Sequence, residues 1–372
     1  MTRIVRNIVL ATALVAATGT TFAARQGLEP VVRNPLAISM LADSSSAQSF
    51  MGQVDFRITN KSAETLKVPY WQLPGGSEES KLFQVYRNGQ AAAYLGPMIK
   101  RPAPAESDYV VFQPYETKVF SVNLARSYDL SQTGEYTVSF ASMLNGAKTA
   151  RGNKLSDSNG RMASLKSATL KLWVDADNAL KALKGNVAAN GKSGGGTATV
   201  VNGVSFVGCS STQISDAGAA VNQARVYSEN AKGYLAGNNQ GPRYTYWMGA
   251  YLSTRYATVS QHFVSIDSTI DKSNGEIKIN CGCNQSYYAY VYPNRPYEIF
   301  VCRAFWTAPL AGTDSKGGTL IHETSHFDVV AGTNDWVYGQ SGASSLAISD
   351  PAKAIDNADS HEYFAENTPY KN

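Results

Sequence analysis

The stretch Gly318-Thr319-Leu320-Ile321-His322-Glu323-Thr324-Ser325-His326-Phe327 decides how the second half of this chain folds. Apolar Leu320, Ile321 and Phe327 flank two histidines four residues apart, a spacing that predicts a buried helix over about 318–330. On a helix, residues i and i+4 lie on one face, so both imidazoles can share one metal ion. Glu323 follows the first histidine and can take a proton from a water activated by that ion. The chain has only four histidines, so two of them bracketing a glutamate at this spacing is not a casual coincidence.

A catalytic zinc site needs a third protein ligand and an open fourth position. Continuing the motif by the spacing of a third histidine leads to Gly332, which excludes that solution. Two solutions stay open from the residues alone: a downstream glutamate, Glu362 or Glu366, or Asp335 in Gly332-Thr333-Asn334-Asp335. A glycine just past a helix permits the left-handed turn that would bring Asp335 back to the metal.

Around this helix, small apolar residues recur at helical spacing from Asp216 to Leu235, and further helices are expected near Trp247–Ile270 and Ala354–Glu366. Short strands are expected at Ile277–Asn280, Tyr287–Tyr292 and Ile299–Cys302. The first half reads differently. Phe120, Val122 and Leu124 alternate with polar residues, as do Tyr136, Val138 and Phe140, and Ala168, Leu170, Leu172 and Val174. Turn signals such as Asn88-Gly89 and Thr133-Gly134 separate such runs. The expected fold class is α+β: a mainly helical catalytic domain at 205–372, preceded by an all-β, sandwich-like domain at 24–183. Between them, 184–204 includes Gly191-Lys192-Ser193-Gly194-Gly195-Gly196 and reads as a flexible linker open to proteolysis.

Residues 1–23 read as a secretion signal, with Arg3 and Arg6 before a short apolar run and Thr21-Phe22-Ala23 at its end. The run is too short to span a bilayer, and no later stretch is apolar enough, so no membrane partner is expected. All four cysteines, Cys209, Cys281, Cys283 and Cys302, lie in the second half, and an even count in an exported chain favours disulfides. Cys281 and Cys283 are poorly placed to join each other, so Cys209–Cys281 with Cys283–Cys302 is a sensible pairing.

Hydrophobic residues make up 43% and charged residues 17%, a globular composition. Residues 1–200 hold 22 Lys+Arg against 14 Asp+Glu, and residues 201–372 hold 11 against 15. The halves can therefore attract each other. No basic run with interleaved aromatics points to nucleic acid.

His322-Glu323-Thr324-Ser325-His326 with Gly332-Thr333-Asn334-Asp335 resembles the aspzincins, the deuterolysin group of zinc peptidases. Phe305-Trp306-Thr307-Ala308-Pro309, Gly312-Thr313-Asp314-Ser315, His361-Glu362-Tyr363-Phe364-Ala365-Glu366-Asn367 and the four cysteines are similar to the peptidyl-Lys metalloendopeptidases within that group. The resemblance covers roughly 205–372. It implies a zincin-like fold with one zinc ion per chain, held by His322, His326 and Asp335. It implies Glu323 as general base and Tyr338 as oxyanion donor, a position that residue type alone would assign to packing. It also implies that Asp359 and Glu362, three apart on one helical face, line a pocket for a substrate lysine on the C-terminal side of the cut bond (P1′). His361, between them, and His262 are not expected to be ligands.

The expected function is a secreted zinc endopeptidase made as a zymogen, with its own propeptide as inhibitor. The alternative is a secreted, non-catalytic zinc-binding or adhesion protein with a permanent β accessory domain. Residues 1–200 contain neither Cys nor His, so the first half cannot silence zinc with a thiolate. A basic side chain inserted into the acidic pocket is the favoured device, with Lys148, Lys154 and Lys192 as candidates from loop-like sequence.

Overall fold

The computed structural model describes residues 31–41, 49–75, 79–180 and 197–371. Residues 1–23, expected to be a signal segment, and Lys192 with the bond before it lie outside the described residues.

Residues 31–174, where described, form strands joined by turns and short 3-10 segments. Alternation sets which side faces the core. Val54, Phe56 and Ile58 of strand Gln53–Asn60 are wholly buried, as are Leu66 and Val68 of Leu66–Pro69. Tyr136, Val138 and Phe140 of Gly134–Met143 bury the same way. Phe56, Phe83 and Phe140 meet with ring centroids 5.5–5.9 Å apart. Gly134–Met143 pairs antiparallel with Phe83–Arg87, Ser164–Lys166 and Leu170–Val174, while Gln53–Asn60 pairs with Leu36–Leu41 and Thr117–Asn123. Ala168 does not join the alternation: it is exposed and precedes the strand.

The second half is built on a six-stranded sheet. Its order is Ala198–Val201, Val204–Val207, Lys278–Asn280, Glu298–Val301, Ala289–Val291 and finally Met98–Lys100. Two expectations change here. The C-terminal part of the supposed linker is a hairpin, turned at Asn202-Gly203, where φ is +49° and +80°. The β-rich first half is also not self-contained, because its strand Met98–Lys100 completes the second half's sheet.

Helix Ser211–Ala236 opens with a capping box of Ser210 and Gln213. It buries Ala217, Ala220, Val221, Ala224 and Ala231, whose small side chains let other helices approach closely. The helix expected at 247–270 is two, Pro242–Met248 and Ser253–Ile270, because the chain turns at Gly249 with φ +90°. There a Cβ would lie 2.4 Å from the Ala347 carbonyl oxygen, so only glycine fits. The stretch expected at 354–366 likewise divides into Pro351–Ala354 and Ala358–Glu366. Disulfide Cys209–Cys281 ties the start of the first helix to the sheet, and Cys283–Cys302 ties two chain segments leaving it. No helix among the described residues is long and apolar enough to cross a membrane.

Candidate active site

Helix Lys316–His326 is buried along its whole length. Ser315 caps it, accepting from the Gly318 amide, and its own hydroxyl donates to Glu366 Oε1 at 2.7 Å. The helix lies almost against Ala358–Glu366: a Cβ on Gly318 would stand 2.1 Å from Glu366 Oε1 and 3.0 Å from Glu362 Cγ. A glycine at 318 is therefore what brings the histidine pair beside Asp359 and Glu362. Gly317 packs similarly against Gln223 of the long helix.

The helix ends at His326, four residues earlier than its apolar pattern suggests, because Phe327 is extended. The chain then reverses through Gly332 at φ +60°. The Thr333 amide donates to the Ser325 carbonyl, and its own carbonyl accepts from His326 Nδ1 at 2.8 Å. Asn357 Oδ1 accepts from the amides of Trp336 and Val337, both at 3.0 Å, which fixes the loop carrying Asp335 and Tyr338. Asn357 did not stand out in the sequence, since its side chain holds distant backbone amides and no local pattern marks that work.

His322, His326 and Asp335 converge. His322 Nε2 and His326 Nε2 lie 3.1 Å apart, and Asp335 Oδ1 is 3.2 and 3.3 Å from them. A tetrahedral zinc ion with bonds of about 2.0–2.1 Å spaces its ligand atoms by about 3.3 Å, so this triangle has the right size for one. The donor chemistry fits too. His326 gives its Nδ1 proton to Thr333, leaving Nε2 as a lone-pair donor, and His322 Nδ1 faces Asp359 Oδ1 at 2.8 Å. Both oxygens of Glu323 and Oδ1 of Asp335 are buried without a hydrogen-bond partner, an arrangement that calls for a cation nearby. Burial raises the Glu323 carboxyl to about 7, against the pull of His322 and His326. That places it where a group can both accept and return a proton near neutrality. Burial and the Asp335 carboxylate hold the Tyr338 phenol well above its usual value, so it stays an O–H donor.

Asp359 and Glu362 line a second anionic pocket with Asp314, and that pocket contains Lys100 of the first half. Lys100 Nζ lies 2.6 Å from Glu362, 3.2 Å from Asp314 and 3.6 Å from Asp359. Tyr288 and Tyr363 wall it, with ring centroids 5.1 and 5.8 Å from the ammonium. Lys100 is 1% exposed. Burial opposes its charge, but the three carboxylates hold its pKa well above the usual lysine value. In turn burial would raise Asp359, and the Lys100 cation brings it below the ordinary carboxylate range.

This corrects the choice of basic residue. Lys148 pairs with Glu106 and stacks on Tyr109, and Lys154 lies in strand Lys154–Ser156. Lys100 stands in Met98-Ile99-Lys100-Arg101-Pro102, two apolar residues followed by two basic ones, a pattern that does not by itself single it out. Asp314 was also missed as a pocket residue, since it lies 45 positions before Asp359 and only a turn with φ +51° points it inward. Glu366, once a ligand candidate, is bound to Ser315, and burial pushes it to about 9. His361 faces neither solvent nor metal. It is buried, donating through Nδ1 to the Asn357 carbonyl and meeting His262 Nδ1 through Nε2 at 3.0 Å.

The strand around Lys100 pairs antiparallel with the sheet edge Ala289–Val291, with Ile99 opposite Tyr290 and Lys100 opposite Ala289. Tyr338 donates to the Ile99 carbonyl at 2.9 Å, and the Ile99 amide lies 3.3 Å from Asp335 Oδ2. Arg101 is clamped by Glu79 at 2.9 Å and by the rings of Tyr287 and Trp71.

Residues 234–366 match the family model described as lysine-specific metallo-endopeptidase. The chain is 41% identical over 322 residues to an extracellular protease of Aeromonas hydrophila, covering 86% of this chain and 89% of that one. It is 53% identical over 166 residues to a peptidyl-Lys metalloendopeptidase of Pleurotus ostreatus, covering 44% of this chain and 97% of that one. A peptidyl-Lys metalloendopeptidase of Grifola frondosa is 35% identical over 326 residues, 84% and 87% of the two chains. With alignments that span both halves and a triangle of donors sized for zinc, the chain belongs to the aspzincin zinc metalloendopeptidases, in the peptidyl-Lys group.

Proposed function

We propose that this enzyme is secreted as a zymogen and hydrolyses peptide bonds on the N-terminal side of lysine, with one zinc ion held by His322, His326 and Asp335. Zinc, when bound, polarises a peptide carbonyl and acidifies water. The chain's own groups do the rest. The edge Ala289–Val291 binds substrate as an added strand. Asp314, Asp359 and Glu362 take the lysine side chain, Tyr338 donates to the carbonyl oxygen as it gains negative charge, and Glu323 moves the proton from water to the leaving nitrogen. Residues 24–183 act as the prodomain, and 184–204 contains the maturation site.

The observation that carries this reading is the seating of Lys100 among the buried carboxylates of Asp359 and Glu362 and the half-exposed one of Asp314, with the preceding carbonyl on Tyr338. A pocket that holds one lysine at this depth supports the same preference in substrates, and a strand that fills the cleft supports inhibition by the prodomain. The test is to digest a denatured protein with the processed enzyme and sequence the products by mass spectrometry. Lysine should begin the internal peptides, and a zinc chelator should stop the digestion. Products with no lysine at their new N-termini would remove the specificity.

A further inference from the structure

Resting on that reading, we infer that the Ile99–Lys100 peptide bond is itself a substrate: the enzyme cuts its own prodomain there, within one molecule. Four observations meet at this bond. Lys100 fills the acidic pocket, so the bond before it is the one a lysine-directed site would address. Tyr338 contacts the carbonyl of that same bond, not a neighbouring one. The strand runs antiparallel to the sheet edge, with Tyr288 N donating to the Lys100 carbonyl at 3.0 Å to hold the register. A cavity of about 400 Å³, lined by Met98, His326, Thr333 and Asn334 among others, reaches a metal ligand alongside the strand and gives water a path.

The step balances with water alone. The water oxygen bonds to the Ile99 carbonyl carbon as the bond to the Lys100 nitrogen breaks. Glu323 carries the proton to that nitrogen, leaving a carboxylate on Ile99 and an amine on Lys100 that takes up a further proton. Met98 and Ile99 are 2% exposed, Lys100 1% and Arg101 4%, so no second protease molecule can reach the bond in the folded chain. Cleavage there must be intramolecular. Both new ends stay anchored: Leu95 donates to the Ser127 carbonyl at 2.8 Å upstream, and Arg101 remains in its clamp downstream.

The experiment uses the full-length chain, refolded in a chelator and then given zinc. Intact-mass analysis under denaturing conditions should show a fragment beginning at Lys100, formed at a rate per molecule unchanged by tenfold dilution. The Glu323→Ala chain should not yield it. In that uncut variant, loaded with zinc, the Ile99 amide should exchange with deuterium at least a hundredfold more slowly than in an unfolded peptide. An intact Ile99–Lys100 bond in enzyme that cuts an added Ile-Lys reporter peptide would overturn the inference alone. Failure to cut any peptide would overturn the proposed function instead. A rate that falls with dilution, the same fragment from Glu323→Ala, or a fast-exchanging Ile99 amide would each refute the intramolecular cut.

Discussion

Replacing Lys100 with methionine keeps an unbranched apolar stem and removes the terminal ammonium with its charge. In the closed zymogen this leaves Asp314, Asp359 and Glu362 facing one another without a cation. Breaking a buried pair by deleting one partner costs about 3–5 kcal/mol, because the remaining charge stays buried and unpaired. Lys100 is 1% exposed and Glu362 wholly buried, so little of this is screened. The closed-to-open equilibrium should therefore shift by roughly 150- to 4,000-fold. The assay is the initial rate on a lysine reporter peptide by unprocessed full-length chain, normalised to fully processed enzyme. The sign of the pH effect gives a second check. In the wild type, burial raises the pKa values of Asp359 and Glu362 while the Lys100 cation pulls both down, so protonating either carboxylate as pH falls weakens its hold on Lys100 and with it closure. In the methionine variant the crowded carboxylates bind protons more readily when closed, so its leak should shrink on acidification. An unprocessed Lys100→Met chain within threefold of wild type would refute the assignment of Lys100 as the inhibitory contact.

Four further outcomes can be measured. Tyr338→Phe should lower kcat by about 10²–10³ with little change in KM, the loss typical of one oxyanion donor, and steady-state kinetics on a lysine peptide decide it. Asp314→Asn should raise KM for lysine peptides about tenfold and leave zinc affinity alone, as expected for one partly exposed charged contact. Asp359→Asn should in addition weaken zinc by about 10–100-fold, because Asp359 lies 2.8 Å from His322 Nδ1; competition with a chelator separates the two variants. Burial lowers His262 to about 4 and His361 to about 3, so the unfolded chain gains protons first as pH drops below 6.5. Each histidine should then cost about 2 kcal/mol of stability between pH 6.5 and 4.5, and His262→Gln should flatten the acid limb of a melting curve measured in the Glu323→Ala background.

What the sequence by itself determined about this protein is local. His322 and His326 meet because a helix turns every 3.6 residues, and Gly332, six positions after the second histidine, permits the left-handed turn that made Asp335 one of the open choices for third ligand. Asp359 and Glu362 share a face for the same periodic reason. Only the tertiary structure decided how these pieces combine. Gly318 lets two helices approach until Asp359 of the acidic pocket meets His322 of the metal triangle. Asp314 enters that pocket from a separate turn. The choice of Lys100 over Lys148 was not legible in the chain, because nothing local distinguishes one basic residue from another. It depends on where the β-rich half hands one strand to the sheet edge at Ala289–Val291, more than 180 residues away, and on the burial of that strand's ammonium among three carboxylates.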